Sequence, residues 1–303
     1  MFNAPLDPLY SIIIPHYNTP ELLMRCLESI PVREDVQVIV VDDCSSDASG
    51  YLQKYPALSR PFLEFYSTEK GGSAGRARNV GLRHTRGRWC LFADADDYYE
   101  EGFLDVIGQA LDDELDILYF NVAGTGERAQ LHQRIFDLYH SKQDTTEVRY
   151  HIWTPWNKVI ARRFIEENRL SFEEIPVGND ALFCLEASRA ARRYRIIDDR
   201  LYCLTDNAAS LSFRITTFER EMDYTRVRIR INRFLARMGL HFRYGYHVFS
   251  LPRAQRFWQQ YGWRNCLQYV CYVSRHYGLI RALAYNIRRR RFQASHPDLI
   301  YCD

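Results

Sequence analysis

Asp94, Asp96 and Asp97 follow directly on the apolar run Trp89–Ala93. Two carboxylates one residue apart, as in Asp94-Ala95-Asp96, suit a hard divalent cation such as Mg2+ or Mn2+. Such an ion takes oxygen ligands and completes its shell with water and substrate phosphates. A calcium loop would need Gly at its sixth position and Glu at its twelfth, where this chain has Tyr99 and Asp105. Asp42 and Asp43 repeat the design at the end of Val36–Val41. Gly71-Gly72-Ser73 leads to Arg76 and Arg78, an open backbone turn with guanidinium groups suited to diphosphate oxygens. The turn lacks the Gly-Lys-Ser/Thr of a Walker loop and the spacing of a dinucleotide fingerprint. Each feature alone has a plainer reading: acids at a helix start, a self-bonded Asp/Ser turn, or a helix entry with solvated arginines. Taken together they point to a nucleoside diphosphate held through a metal ion.

The elements that must position these residues alternate between strand and helix. Tyr10–Pro15 reads as a buried β-branched strand, and Thr19-Pro20 as a helix start with Thr at the N-cap. Leu22, Leu23, Cys26, Leu27 and Ile30 continue at helical spacing until Pro31. Val36–Val41 is a second strand, and a short helix is expected around Tyr51. Phe62–Ser67 is a third strand, a helix opens near Ser73, and Trp89–Ala93 is a fourth strand. This alternation predicts an α/β fold with a mainly parallel sheet and helices on both faces. Ligands of such sheets bind beyond the carboxyl ends of the strands. Pro15–Asn18, Asp42-Asp43, Gly71-Gly72 and Asp94–Asp96 all fall there and are expected to line one crevice.

Beyond a strand at Asp116–Asn121 the pattern is less regular. Helices are expected at about Ala161–Asn168 and from Asn179 or Asp180, with strands at Tyr194–Ile197 and Leu201–Leu204. From about Ile215 the chain reads as helical and arginine-rich. There it carries 16 arginines, no lysine and five acids, although the whole chain has a net charge of only +2.

Four ordered blocks carry a family resemblance: "SIIIPHYNTPELLMRCLESI", "VIVVDDCSSDAS", "GGSAGRARNVGL" and "GRWCLFADADDYYEEGFL". Over about residues 10–120 the chain resembles the inverting family-2 glycosyltransferases of the GT-A fold. The resemblance implies transfer of a sugar from a nucleoside diphosphate donor, typically a UDP-sugar, to a hydroxyl of a growing glycan or lipid-linked saccharide. It implies that Pro15 and Tyr17 frame the nucleobase, that Asp43 accepts from the base, and that Asp42 supports that turn. Gly72, Arg76 and Arg78 then lie on the donor side. Asp94, Ala95 and Asp96 form the metal-diphosphate motif, with Asp96 the more direct ligand of Mn2+ or Mg2+. Within "VGNDALF", Asp180 matches the general base and Phe183 the aromatic residue after it, while Asn179 stands where similar enzymes have Glu. Trp153, Trp156, Asn157 and Lys158 match an acceptor-side segment. Asp180 as a helix cap and the tryptophans as packed core are the structural alternatives. His16 reads as a local hydrogen-bonding residue.

These readings divide the chain into a catalytic domain over residues 1–210, with donor part at about 10–120 and acceptor part at about 121–210, and a helical extension over 211–303. In the extension, Val227, Ile231, Phe234, Leu235 and Met238 form one apolar stripe, and Trp263, Leu267, Val270, Cys271 and Tyr277 a second. Packing on the domain is expected for the stripes, with contact to an anionic membrane surface through the arginines. No recognition motif for nucleic acid accompanies the charge. Eight cysteines occur without a C-x-x-C pair, which argues against a zinc or redox motif; Cys26, Cys90 and Cys184 read as reduced core residues of a cytoplasmic protein. No apolar run approaches the roughly 20 residues that span a bilayer, and the N-terminus does not read as a secretory signal. A sugar nucleotidyltransferase, or a nucleotide-sugar-binding protein without catalysis, are the alternative functions.

Overall fold

The runs that end in acids are neighbouring strands. In the computed structural model, which describes residues 8–46, 60–205 and 217–301, Tyr10–His16 (β1) and Val36–Asp42 (β2) are buried along their full length. That is the expected state of a parallel strand covered on both faces. Between them runs α1 (Pro20–Glu28), whose N-cap Thr19 makes no side-chain cap bond. Leu63–Ser67 (β3) follows the expected helix around Tyr51, which lies outside the described residues.

Helix α2 (Ala74–His84) is capped by the Ser73 side chain, which accepts from Arg76 N. Gly81 lets this helix lie close on the sheet, since a Cβ there would come within 2.4 Å of Ile13 Cγ2. Trp89–Phe92 (β4) leads through Tyr98–Tyr99 (β5) into α3 (Phe103–Ala110). Ile117–Ala123 (β6), α4 (Glu127–Lys142), α5 (Thr146–His151), Lys158–Ala161 (β7), α6 (Arg162–Glu167), α7 (Ala181–Ala190) and Tyr194–Cys203 (β8) complete this part.

The eight strands form one sheet in the order β3-β2-β1-β4-β7-β6-β8-β5. The first four are parallel, with His16 opposite Asp42 and Ile13 opposite Phe92. Their carboxyl ends therefore open on one edge, where the sheet order reverses direction from β1. The other half is mixed: β7 is antiparallel to both β4 and β6, and β5 is antiparallel to β8. β8 is one ten-residue strand with irregular register against β6, where the sequence suggests two separate strands.

The chain divides into two compact units, one of Met1–Ile175 with Asn179–Phe213 and one of Pro176–Gly178 with Arg214–Asp303. The second contains α8 (Phe218–Arg237), α9 (His241–Tyr244), α10 (Leu251–His276) and α11 (Leu279–Ser295). Its own core includes Met222, Ile229, Phe257, Tyr269 and Val273. Cys26, Cys90 and Cys184 are buried and free.

Candidate active site

At the end of β2, two acids are fastened to the chain. His16 Nε2 accepts from Thr19 N at 3.2 Å, so its Nδ1–H donates to Asp42 Oδ1 at 3.0 Å. Asp42 Oδ2 accepts from Ser45 N at 2.8 Å. Burial opposes ionisation of Asp42, yet the bonds from His16 and Ser45 outweigh it and hold its pKa below the usual carboxylate value. Asp43 Oδ1 accepts from Thr68 Oγ1 at 2.8 Å, and Oδ2 from Gly72 N at 2.7 Å and Ser73 N at 2.8 Å. Gly72 adopts φ +101°, a left-handed conformation that suits glycine and turns two amides toward one carboxylate. Three of the roughly four acceptor positions of Asp43 are thus filled from within the chain. Pro15 is buried beside this turn's strand, while Tyr17 is 43% exposed.

At the end of β4 the acids are crowded instead. Asp94, Asp96 and Asp97 each place a carboxylate oxygen within 4.8 Å of the others, forming a cluster of three ligand-type side chains among the described residues. Asp94 Oδ1 accepts from Arg78 Nη2 at 2.6 Å, and Asp94 N donates to the Tyr202 hydroxyl at 2.8 Å. The Asp96 carbonyl accepts from Arg25 and from Thr205 Oγ1. Burial, then the charge of Asp94, raises the pKa of Asp96. Asp97 is fully buried, its Oδ1 accepts from Thr205 N at 2.8 Å, and its Oδ2 has no partner. Burial and the neighbouring Asp94 and Asp96 push its pKa up to about 7. Ala95, between the two motif acids, is buried. The D-x-D spacing does not single out Asp97 as a ligand; three acids in four positions are its only trace in the sequence.

Arg78 joins this cluster to the start of α7. Its Nη1 donates to Asn179 Oδ1 at 2.9 Å, and its guanidinium lies 5.4 Å from the centre of the Phe172 ring. Burial disfavours the guanidinium charge, but Asp94 and Asp180 outweigh it and raise the pKa. Asp180 occupies the N-cap position of α7 without making a side-chain cap bond. No other described residue hydrogen-bonds its carboxylate. Burial raises its pKa, with Arg78 opposing and Asp94 adding to the shift. Phe183, one turn on, is buried and stacks on Phe172 with ring centres 3.9 Å apart. Arg76 turns to Glu174, its Nε donating to Oε2 at 2.9 Å.

The Trp153–Lys158 segment is largely internal. Trp156 is 1% exposed, stacks on Tyr202 with ring centres 5.4 Å apart, and meets His132 at a tilt at 4.7 Å. Asn157 Nδ2 donates to Phe120 O at 3.3 Å. Lys158 is buried with its ammonium satisfied by the carbonyls of Ile152 and Thr154 and by Asn157 Oδ1 at 2.8 Å. Burial lowers its pKa. Trp153 is half-buried, with Nε1 donating to Tyr150 O at 2.6 Å. Of the four, Trp153 keeps a partly exposed face, whereas Trp156, Asn157 and Lys158 are committed to the interior.

Comparison with known proteins supplies the remaining findings. The profile described as glycosyl transferase family 2 matches residues 11–170. EpsJ of Bacillus subtilis (strain 168), an uncharacterized glycosyltransferase, is 29% identical over 222 residues, covering 68% of this chain and 63% of EpsJ. The poly(ribitol-phosphate) beta-N-acetylglucosaminyltransferase TarS of Staphylococcus aureus (strain Mu50 / ATCC 700699) is 27% identical over 200 residues, 64% of this chain and 35% of TarS. The matched region thus spans less than two thirds of these relatives. Among solved structures, S. aureus TarS 1-349 in complex with UDP-GlcNAc aligns with a TM-score of 0.64 at 22% identity, covering 95% of this chain and 91% of that one. The mannosyltransferase PcManGT from Pyrobaculum calidifontis, in complex with GDP-Man and Mn2+, gives 0.55 at 15% identity, with 97% and 83% covered. At these identities the likeness shows the fold, which is the GT-A arrangement.

Proposed function

Because the chain belongs to glycosyl transferase family 2, we propose that it moves a sugar, with inversion, from a nucleoside diphosphate sugar to a hydroxyl of a growing glycan or lipid-linked saccharide. UDP is the default nucleotide, the process is cell-surface polysaccharide synthesis, and the reaction takes place on the cytoplasmic side. The observation that carries this reading is the carboxylate cluster at the end of β4. Three acid groups share one small space, and one buried oxygen of Asp97 has no partner. An all-oxygen donor set of this kind fits Mg2+ or Mn2+. Asp96 and Asp94 would hold the ion, with Asp97 beside them. A bound divalent cation neutralises charge that develops on the departing diphosphate.

The chain's own groups do the rest. Arg78 orients Asp94 and places a fixed positive charge near Asp180. Asp180, free of helix capping, takes the acceptor hydroxyl's proton; a pKa raised by burial makes it a better base than an exposed carboxylate. Asp43, Pro15 and Tyr17 form the base-binding end, where Asp43 has one acceptor position left and Tyr17 an exposed ring. Gly72 and Arg76 border the phosphates, and Trp153 and Asn179 border the acceptor.

A thermal-shift panel of UDP, GDP, dTDP and CMP, each with and without Mn2+, tests the donor half. One nucleoside diphosphate should raise Tm in the presence of the metal, since a ligand of the folded state stabilises it by mass action. No shift with any of them would refute the donor site. For the transfer half, Asp180→Asn should retain donor binding and lose about 10²–10⁴ in rate. Release of pyrophosphate instead of nucleoside diphosphate would identify a nucleotidyltransferase. Binding without turnover, unchanged in Asp180→Asn, would identify a non-catalytic protein.

A further inference from the structure

The second unit carries none of the site residues placed above, and its exposed surface is rich in arginine and apolar side chains. Between Asp223 and Asp298 the chain has fifteen arginines and no acid at all. The α8 stripe is packed, with Val227, Ile231 and Leu235 at most 5% exposed. The stripe on α10 differs from the packing expected of it. Phe257, Tyr269 and Val273 point inward at 0% exposure, whereas Trp258, Trp263 and Leu267 are 62%, 61% and 53% exposed. Gly262, at φ +84°, interrupts α10 directly before Trp263, so the two tryptophans stand on separate helical segments. Helix α11 repeats the arrangement: Ala282 and Tyr285 are buried, while Ile280, Leu283 and Ile287 are 86%, 41% and 56% exposed. Those three recur at i, i+3 and i+7, one face of a helix.

We propose that α10 and α11 form a docking surface for an anionic lipid bilayer, with the helices lying in the interface and the exposed tryptophan, leucine and isoleucine side chains immersed at headgroup level. Amphipathic helices that pair such residues with arginine bind in this way, the apolar face giving depth and the cations giving attraction to anionic lipid. Charge decides the occupant. A second copy docked by the same face would set one arginine-rich surface against another, with Glu221 beside Arg256 as an acid at its margin, and like charges oppose that contact. A layer of lipid phosphates meets the same surface with complementary charge. Neither helix is long and apolar enough to cross a membrane, which leaves lying on it. This inference goes beyond the transfer reaction and is independent of the donor site.

The test uses the full chain and co-sedimentation with phosphatidylcholine vesicles, with and without phosphatidylglycerol. Binding to the anionic vesicles alone is expected, weakening as salt rises and accompanied by a blue shift of tryptophan emission. Arg288→Gln with Arg291→Gln, both exposed, should weaken it about 25-fold, taking about fivefold per arginine. Trp263→Ser with Ile280→Ser should weaken binding and abolish much of the blue shift, while circular dichroism and metal-dependent nucleotide binding stay as in the parent. Failure to bind anionic vesicles, or equal binding to neutral ones, would overturn the proposal. So would self-association in sedimentation velocity that Trp263→Ser removes, since a second copy would then be the occupant. Insensitivity to Trp263→Ser with Ile280→Ser would overturn the immersed face.

Discussion

The ends of β2 and β4 start from the same sequence design and reach opposite electrostatic states. Each is a buried apolar strand that stops at adjacent carboxylates. At β2 the acids are satisfied from within: His16, Ser45, Thr68 and the amides of Gly72 and Ser73 supply donors. At β4 the chain offers Arg78 to Asp94 and the Thr205 amide to Asp97, then leaves a buried oxygen of Asp97 alone and its pKa near 7. Hydrogen-bonded carboxylates hold structure, whereas crowded ones store repulsion that a cation can relieve. Similar local patterns therefore separate into a bonded framework and a crowded cluster according to the donors that the rest of the chain brings.

The largest expected effect is at the β4 end. Asp96→Asn should lower the transfer rate by about 10²–10³ at saturating donor, the loss of several kcal/mol of charge stabilisation, and should remove the Mn2+ dependence of nucleotide binding. Loss of that dependence in Asp43→Asn as well would erase the contrast between the two ends. On the framework side, Asp43→Asn should destabilise the chain by about 2 kcal/mol in urea denaturation, with or without metal, because bonds to a charged acceptor are lost. Asp97→Asn should have the opposite sign. At pH 8 without metal it should stabilise the chain by about 1 kcal/mol, a fraction of the relief its raised pKa implies because the new amide nitrogen is itself buried. A loss of stability there would show that crowding at β4 is already compensated.

The smallest effect concerns Asp42 and pH. Its folded pKa lies below the unfolded value, so its contribution is fully present above the unfolded pKa and is lost as pH falls through the folded one. Asp42→Asn should cost about 1 kcal/mol at pH 7, and its gap from the parent should close below about pH 4. A gap independent of pH would mean that His16 and Ser45 hold the protonated acid as well as the carboxylate.

The parallel half of the fold was legible because its strands are long, buried on both faces and end at polar residues. The helix start near Ser73 and the buried cysteines followed from the same residue-level rules. The mixed half was not. β5 has two residues, too few for any period, and β7 is hidden behind a lysine that only its carbonyl partners make tolerable inside. Helix α4 is not legible because its buried positions include Ala129 and His132, which do not stand out as an apolar stripe. The site was legible where residues follow strands directly, as at Asp43 and Asp94. It was illegible where contacts are distant in sequence: Tyr202 on Asp94, Thr205 on Asp97, and Arg78 on Asn179. The inward turn of Trp156, Asn157 and Lys158 likewise depends on β6 and β8, which their own neighbourhood does not disclose.

Helix α2 begins with an amide clasped by Asp43 and, five residues later, presents the guanidinium that grips Asp94. Five helical residues span about 7.5 Å, and a hydrogen-bonded rod of that length barely flexes. The rod therefore fixes the distance between the acid just past β2 and the first acid beyond β4. The two carboxylate corners are thus built on one element, and a change in the pitch of that first helical turn would alter their spacing directly.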